Sequence, residues 1–260
     1  MFSNSKIPKN ALLFLLLFSV STFNNLVFGQ ERVVTAGFQF KPLFSSKFFN
    51  TGPQELSWEA KYYDTIPQLI YQDSAFFKIS PESGYCLGMV IRAGLSETWS
   101  LETGINFVRR NYQLDMSDST GSESTNFKLV SYQIPFQALV FIQLSDEVFM
   151  DVSMGVAADF YPSDIATYGD RFIHSSSRLS WLSSSLLANI GWEYRTPESG
   201  YFYLGASYNR PFNNIMRSFF KRPTNDYGPE EYIDLKGNYL TVDLRYFFHS
   251  DPVKRKSKKR

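Results

Sequence analysis

The strongest constraint on this chain is an alternation of apolar and polar side chains that recurs through it with period two. Its clearest instance is the last regular segment, Tyr239-Leu240-Thr241-Val242-Asp243-Leu244-Arg245-Tyr246-Phe247-Phe248. Leu240, Val242, Leu244, Tyr246 and Phe248 fall on one side of an extended backbone, and Thr241, Asp243 and Arg245 fall on the other. A soluble sandwich also uses strands with one greasy and one charged face. What decides is repetition: about eight such segments follow one another, joined by short and long connections in turn.

The segments are Val33–Phe44, Tyr85–Leu95, one starting at Trp99, Phe127–Leu144, Val148–Tyr161, Arg178–Arg195, Tyr201–Phe212 and Tyr239–Phe248. In the first, Val34, Phe38 and Phe40 oppose Thr35, Gln39 and Lys41; in the fourth, Val130, Tyr132, Ile134 and Phe136 oppose Gln133 and Gln137. Past Val108 the third segment loses its apolar parity at Arg109-Arg110, which predicts a bulge or emergence into water.

Ser96-Glu97-Thr98, Ser145-Asp146-Glu147 and Pro197-Glu198-Ser199-Gly200 are short joints. Between them lie long connections at Ser45–Gly84, Ser117–Asn126, Pro162–Ser177 and Asn213–Leu235. Strict alternation of short turns and long loops belongs to outer-membrane barrels, and an even strand count returns both ends to the periplasm. The expected fold is all-β: an eight-stranded, antiparallel, up-and-down transmembrane β-barrel, apolar side outward. Eight strands enclose a bore that side chains fill, so Arg92, Arg245, Glu102, Glu193 and Asp243 are expected to pair across a closed lumen. Trp99, Trp192, Tyr194, Tyr246 and Phe248 fall near the short turns, where a headgroup-level belt belongs.

Lys6 and Lys9 precede the apolar run Ala11–Val20, and Val27-Phe28-Gly29 offers a cleavage site, so residues 1–29 read as a signal peptide. Residues 30–250 then form the barrel domain and 251–260 a basic periplasmic tail. Lys and Arg number 26 against 25 Asp and Glu; without Lys6 and Lys9 the balance is 24 against 25. The tail carries Lys254, Arg255, Lys256, Lys258, Lys259 and Arg260 against Asp251, leaving the body 18 against 24. In an exported protein such a tail reads as a solvated, disordered end, or as a contact for anionic headgroups or an acidic partner, and not for nucleic acid. The single cysteine, Cys86, has no disulfide partner and reads as a small filler.

Chemistry-bearing residues are few. His174 and Ser176 lie two apart, on one face of an extended chain, near the outer rim; with Asp164 or Asp170 they would suit a lipid-facing nucleophile and base. The plainer reading, and the one taken, is a serine-rich loop, Ser175-Ser176-Ser177, entering a strand. His249 reads as interfacial. Inward carboxylates Asp151, Asp159, Glu102 and Glu193 read as pins of the interior rather than acid/base pairs. Asp115, Asp118 and Glu123 share a loop but lack the spacing of a calcium loop, and no phosphate-binding glycine motif occurs. No catalytic, cofactor or metal site is expected. Phe48, Phe49, Trp58, Tyr62, Tyr63 and Tyr71 make the first long connection aromatic enough to cover the mouth or bind something.

The strand Tyr132-Gln133-Ile134-Pro135-Phe136-Gln137 after a polar loop, the closing Leu240–Phe248 strand and a signal ending before Gln30 resemble the PorT-like outer-membrane barrels of Bacteroidetes-type bacteria. More distantly the chain is similar to OmpA/OmpX-type barrels. The resemblance implies an outer-membrane β-barrel, and one family member belongs to a gliding-associated (type IX) secretion machine. The roughly 40-residue first connection and the basic extension depart from that pattern. The expectation is a non-enzymatic structural or adaptor barrel, in contact with outer-membrane lipid and with envelope or secretion proteins through loops and tail. Alternatives are a lipid A-modifying enzyme using His174 and Ser176, or a narrow pore.

Overall fold

The computed structural model describes residues 34–45, 54–63, 70–96, 98–170, 172–196, 199–221 and 231–248. Its strands are β1 (Val34–Phe44), β2 (Gln54–Tyr63), β3 (Ile70–Gly94), β4 (Trp99–Asp118), β5 (Gly121–Gln143), β6 (Val148–Phe160) and β7 (Ile165–Tyr168). They continue as β8 (Ile173–Arg178), β9 (Leu182–Thr196), β10 (Gly200–Pro211), β11 (Met216–Lys221), β12 (Glu231–Leu235) and β13 (Tyr239–Phe247). No described helix is long and apolar enough to cross a membrane.

A nine-stranded sheet runs β1-β13-β10-β9-β6-β5-β4-β3-β2, and an antiparallel β1–β3 ladder from Val34↔Ala93 to Leu43↔Gly84 closes it. The closed ring is therefore β1, β3, β4, β5, β6, β9, β10 and β13, the eight strands expected. Closure matters because hydrocarbon offers nothing to an unpaired amide. Phe38 is 53% exposed while its neighbour Gln39 is 5% exposed, and the same alternation runs round the wall. Trp99, Trp192, Tyr194 and Phe248 stand outward at the short-turn end, with Tyr246 beside Phe248. A second belt, not foreseen, faces outward at the other end: Tyr85, Phe107 and Tyr132 in ring contact, then Phe160 against Trp181. From Tyr132 to Ile142 the outward face spans about 25 Å at ordinary rise and tilt, a hydrocarbon thickness.

Above that belt the chain departs from expectation. The described residues of the four long connections are largely strand. β2 pairs with the upper part of β3, and β4 and β5 run on to a tight turn at Ser119-Thr120. β12-β11-β8-β7 form a separate four-stranded sheet. β7 lies against β5 and β12 against β2, so these strands stand on the membrane ring as an outer tier. Its interior is apolar: Phe77, Ile79, Leu114, Met116, Leu129, Phe172, Met216 and Leu235 belong to one buried cluster. The anticipated sixth segment is split as well, since Arg178 ends β8 and β9 begins at Leu182.

The bulge anticipated at Arg109-Arg110 sits instead on the facing strand. Glu82 pairs with Asn111 but Tyr85 with Arg109, so β3 carries the extra residue, and β4 simply leaves the membrane there. Pro135 explains the pairing around it. Lacking an N–H, it stands where the β4–β5 ladder lapses between Thr103↔Phe136 and Asn106↔Gln133, and the register resumes unchanged. Gly191 and Gly205 leave the wall flat enough for the Tyr203 ring to lie across both, where a Cβ would strike its hydroxyl.

Candidate functional site

Inward positions of the membrane ring carry ionisable and amide side chains, and their position on facing strands brings them together. Arg92 (β3) pairs with Glu193 (β9), with Glu102 (β4) at 3.2 Å and with Asp151 (β6) at 3.7 Å. Arg245 (β13) donates to Glu102 at 2.6 Å and to Asp243 at 2.8 Å. Lys41 (β1) reaches Asp243 at 2.8 Å, and Arg195 donates to Glu193 at 2.6 Å. Four cations thus meet four carboxylates inside the wall, charge for charge. Aromatic rings back them: Arg92 lies 4.1 Å over Phe247, Arg245 4.6 Å over Tyr203 and Arg195 4.0 Å over Phe149.

The five charges expected to pair across the lumen do so. Lys41 and Asp151, which parity alone had placed inward, and Arg195, which no sequence pattern had placed there, complete the set. Nearer the outer end, Asp159 accepts from Gln133 at 2.8 Å and from Ser185 at 2.5 Å, and Arg110 donates to Ser131 at 2.8 Å. The mid-lumen cavity beside Lys41, Gln137, Asn209 and Thr241 is about 20 Å³, room for one water. Asp151, Asp159, Glu102 and Glu193 accordingly sit as interior pins. Cys86 is buried among Leu43, Val108 and Tyr239 as a free thiol.

The His174–Ser176 pair forms, but facing the other way from expectation. Alternation along β8 turns both into the apolar interior of the outer tier, where His174 is 1% and Ser176 0% exposed. The two side chains meet at 2.8 Å (Oγ to Nε2), and Ser176 also shares a 2.5 Å hydrogen bond with Ser218 of β11. The imidazole packs on Phe127 and Phe220, with ring centroids at 4.7 and 5.5 Å. Burial pushes its pKa down to about 4, so the ring is neutral at pH 7. Its Nδ1 has no hydrogen-bond partner. Asp164 is engaged with the Arg178 backbone at 2.9 Å, and the Asp170 N–H donates to Glu123. A neutral Ser–His contact without an orienting carboxylate, sealed from lipid, is what the interior holds.

Asp115, Asp118 and Glu123 are occupied in local structure. Asp118 accepts from the Thr120 and Gly121 N–H groups and shapes the β4–β5 turn; Asp115 accepts from Ser124 at 2.7 Å. Among the described residues no three metal-ligating side chains converge. The signal segment, His249, the basic tail, Phe48 and Phe49 lie outside the described residues, as do the side chains of Trp58, Tyr62, Tyr63 and Tyr71.

The family described as outer membrane protein beta-barrel domain matches residues 34–217. Among solved structures, the outer membrane protein OprG of Pseudomonas aeruginosa is similar at 12% identity, covering 84% of this chain and 96% of its own, with a TM-score of 0.49. The outer membrane protease OmpT of Escherichia coli is similar at 10% identity, with 84% and 96% covered and a TM-score of 0.36. The translocator domain of the autotransporter NalP from Neisseria meningitidis is similar at 11% identity, with 92% and 96% covered and a TM-score of 0.36. No curated protein matches the chain.

Proposed function

This chain belongs to the outer membrane protein beta-barrel domain family, and from that footing we propose that it is a closed, non-enzymatic barrel with a structural or adaptor role. The single observation that carries the reading is the neutral ion network, which crosses the bore from Lys41 on β1 through Asp243, Arg245 and Glu102 to Arg92, Asp151, Glu193 and Arg195. A bore filled this way and capped by an apolar tier passes no solute. Both termini lie on the periplasmic side in this reading, and the outer tier projects outward as a contact surface. Envelope or secretion proteins are the partners it would meet, with the basic tail as a second contact. The resemblance of Tyr132–Gln137 and the last strand to PorT-like barrels makes a secretion-linked assembly the first place to look for them.

Reconstitution into planar bilayers tests the closed state: no unit conductance is expected, and reproducible steps would replace this reading with a narrow pore. A second reading, a lipid A-modifying enzyme, starts from the 2.8 Å Ser176–His174 contact and requires the buried pair to become accessible to lipid. Lipid A mass spectra that differ between a deletion strain carrying wild-type protein and one carrying Ser176→Ala would establish it. Identical spectra would remove it.

A further inference from the structure

Where the two tiers meet, the wall is interrupted between the β8–β9 and β10–β11 connections. The β9–β10 ladder stops at Pro211↔Ser185, and the β8–β11 ladder resumes at Met216↔Arg178. Single backbone bonds tie the gap at its two ends, Phe212 N–H to the Ser184 carbonyl at 3.0 Å and Leu179 N–H to the Ile215 carbonyl at 3.2 Å. Between them opens a cleft of about 610 Å³ whose lining includes Ser183, Ser184, Asn213, Leu182 and Phe212. Such a volume lies within the range of small-molecule sites.

Three features say what would occupy it. The cleft is continuous with the lipid-facing wall, because Leu182, Phe212 and Trp181 are all exposed large apolar side chains at its edge. Its level is that of the outer aromatic belt, since Leu182 pairs with Phe160 and Phe160 contacts Trp181. Its polar lining is hydroxyl and amide, with the exposed guanidinium of Arg210 two residues below Phe212 on the same outward face. A single molecule satisfies all three: acyl chains on the wall, sugar in the cleft and phosphate at Arg210. We propose that this cleft seats the headgroup of an outer-leaflet glycolipid of the lipid A class. The proposal rests on the orientation given above, outer tier outward.

The test uses full-length protein purified in a mild detergent, titrated with lipid A and read by native mass spectrometry. Wild-type protein is expected to hold one lipid A. Ser184→Trp, which fills the cleft from an exposed position, and Arg210→Glu are each expected to cut the bound fraction roughly tenfold, because one excludes the sugar and the other repels the phosphate. Phosphatidylglycerol and inorganic phosphate are expected not to displace it. Absence of the adduct in wild-type protein, equal adducts in the variants, or displacement by phosphate alone would overturn the proposal. Heat-modifiable migration of every sample reports the barrel separately, so its loss in wild-type protein would count against the barrel and not against the cleft. Protease access in whole cells decides orientation: outer-tier cleavage is expected, and its absence, with the barrel intact, would overturn the outward placement.

Discussion

The membrane ring and the outer tier share long strands, yet their insides and outsides are chemically exchanged. β4 shows the exchange along one backbone. Inward Ser100, Glu102 and Asn106 give way to Tyr112, Leu114 and Met116, while outward Leu101, Ile105 and Phe107 give way to Arg109, Asn111, Gln113 and Asp115. The β4–β5 register stays constant from Trp99↔Val140 to Asp118↔Gly121, so no backbone irregularity in this hairpin causes the switch. What each tier keeps inside follows from what lies outside. Hydrocarbon takes the apolar side chains, and a bore too narrow to stay open is filled by polar and charged side chains that pair across it. Water outside reverses the assignment, because apolar burial then stabilises.

The largest expected effect breaks the polar interior. Arg245→Met keeps much of the volume but leaves Glu102 and Asp243 without their shared guanidinium. Losing one member of a buried ion set costs about 3–5 kcal/mol. Urea unfolding in lipid bicelles, followed through heat-modifiable migration, should show the whole membrane ring weakened. An unchanged midpoint would mean that the lumen tolerates uncompensated charge, and the contrast between tiers would lose its energetic meaning.

The corresponding cut in the apolar interior is Leu114→Ala. Leu114 is fully buried in the outer cluster, and large-to-small changes of this kind cost about 2–5 kcal/mol. The loss should be local. Limited proteolysis is expected to nick the outer tier sooner while the membrane ring keeps its migration shift. Simultaneous loss of both would show one cooperative unit, with tiers that differ in composition alone.

The membrane ring was legible because period-two alternation and lipid contact reinforce each other over nine or more residues. Inward charges followed from the same parity, so Arg92, Glu102, Glu193, Asp243 and Arg245 were found, while their pairing geometry was not. The outer tier escaped because its code is inverted and its strands are short. β7 and β8 span Ile165–Tyr168 and Ile173–Arg178, and the Ser175-Ser176-Ser177 run on β8 reads as loop. His174 was singled out for its chemistry but assigned the wrong solvent: its inward direction depends on Phe220 and Ser218 of β11, more than 40 residues away. The aromatic row Tyr85–Phe107–Tyr132 was visible residue by residue, and strand register alone makes it a belt.

A pH titration sharpens the contrast further, because His174 is a titratable group within the apolar interior. Its folded pKa near 4 lies below the usual 6.5 of histidine, so below pH 6.5 the unfolded chain takes up a proton that the folded tier refuses. Stability is therefore full above pH 6.5 and falls as pH drops from 6.5 toward 4, by about 2 kcal/mol at pH 5. The groups packed on the ring from β5 and β11 are Phe127, Phe220 and Ser218, reached through Ser176, and burial alone drives the shift. His174→Phe keeps the ring contacts and should abolish this part of the pH dependence in outer-tier proteolysis. A variant as acid-sensitive as wild type would mean that the tier does not exclude protons.

The smallest effect comes from the closest chemical analogue of the first. Arg217 of β11 forks onto Asp234 of β12 at 2.7 and 3.0 Å and stacks 4.0 Å over Tyr232, much as Arg245 forks onto Asp243 and Glu102 over Tyr203. The local constellation is nearly the same, but Arg217 stands on the outward, watered face. The hydrogen bonds from Arg217 hold the Asp234 carboxyl below its usual range, so the contribution of the pair is present at neutral pH and fades as pH falls through that lowered range. Solvent screens the attraction, and a half-buried pair on the watered face recovers much of its hydration when broken. Arg217→Met should therefore shift the unfolding midpoint by roughly a fifth or less of the Arg245→Met shift. About 0.5 M salt should erase that remainder while leaving the Arg245 effect in place, since buried charges escape screening. Equal effects at the two arginines would mean that the outer face is as dry as the lumen, and that the two tiers do not face different solvents.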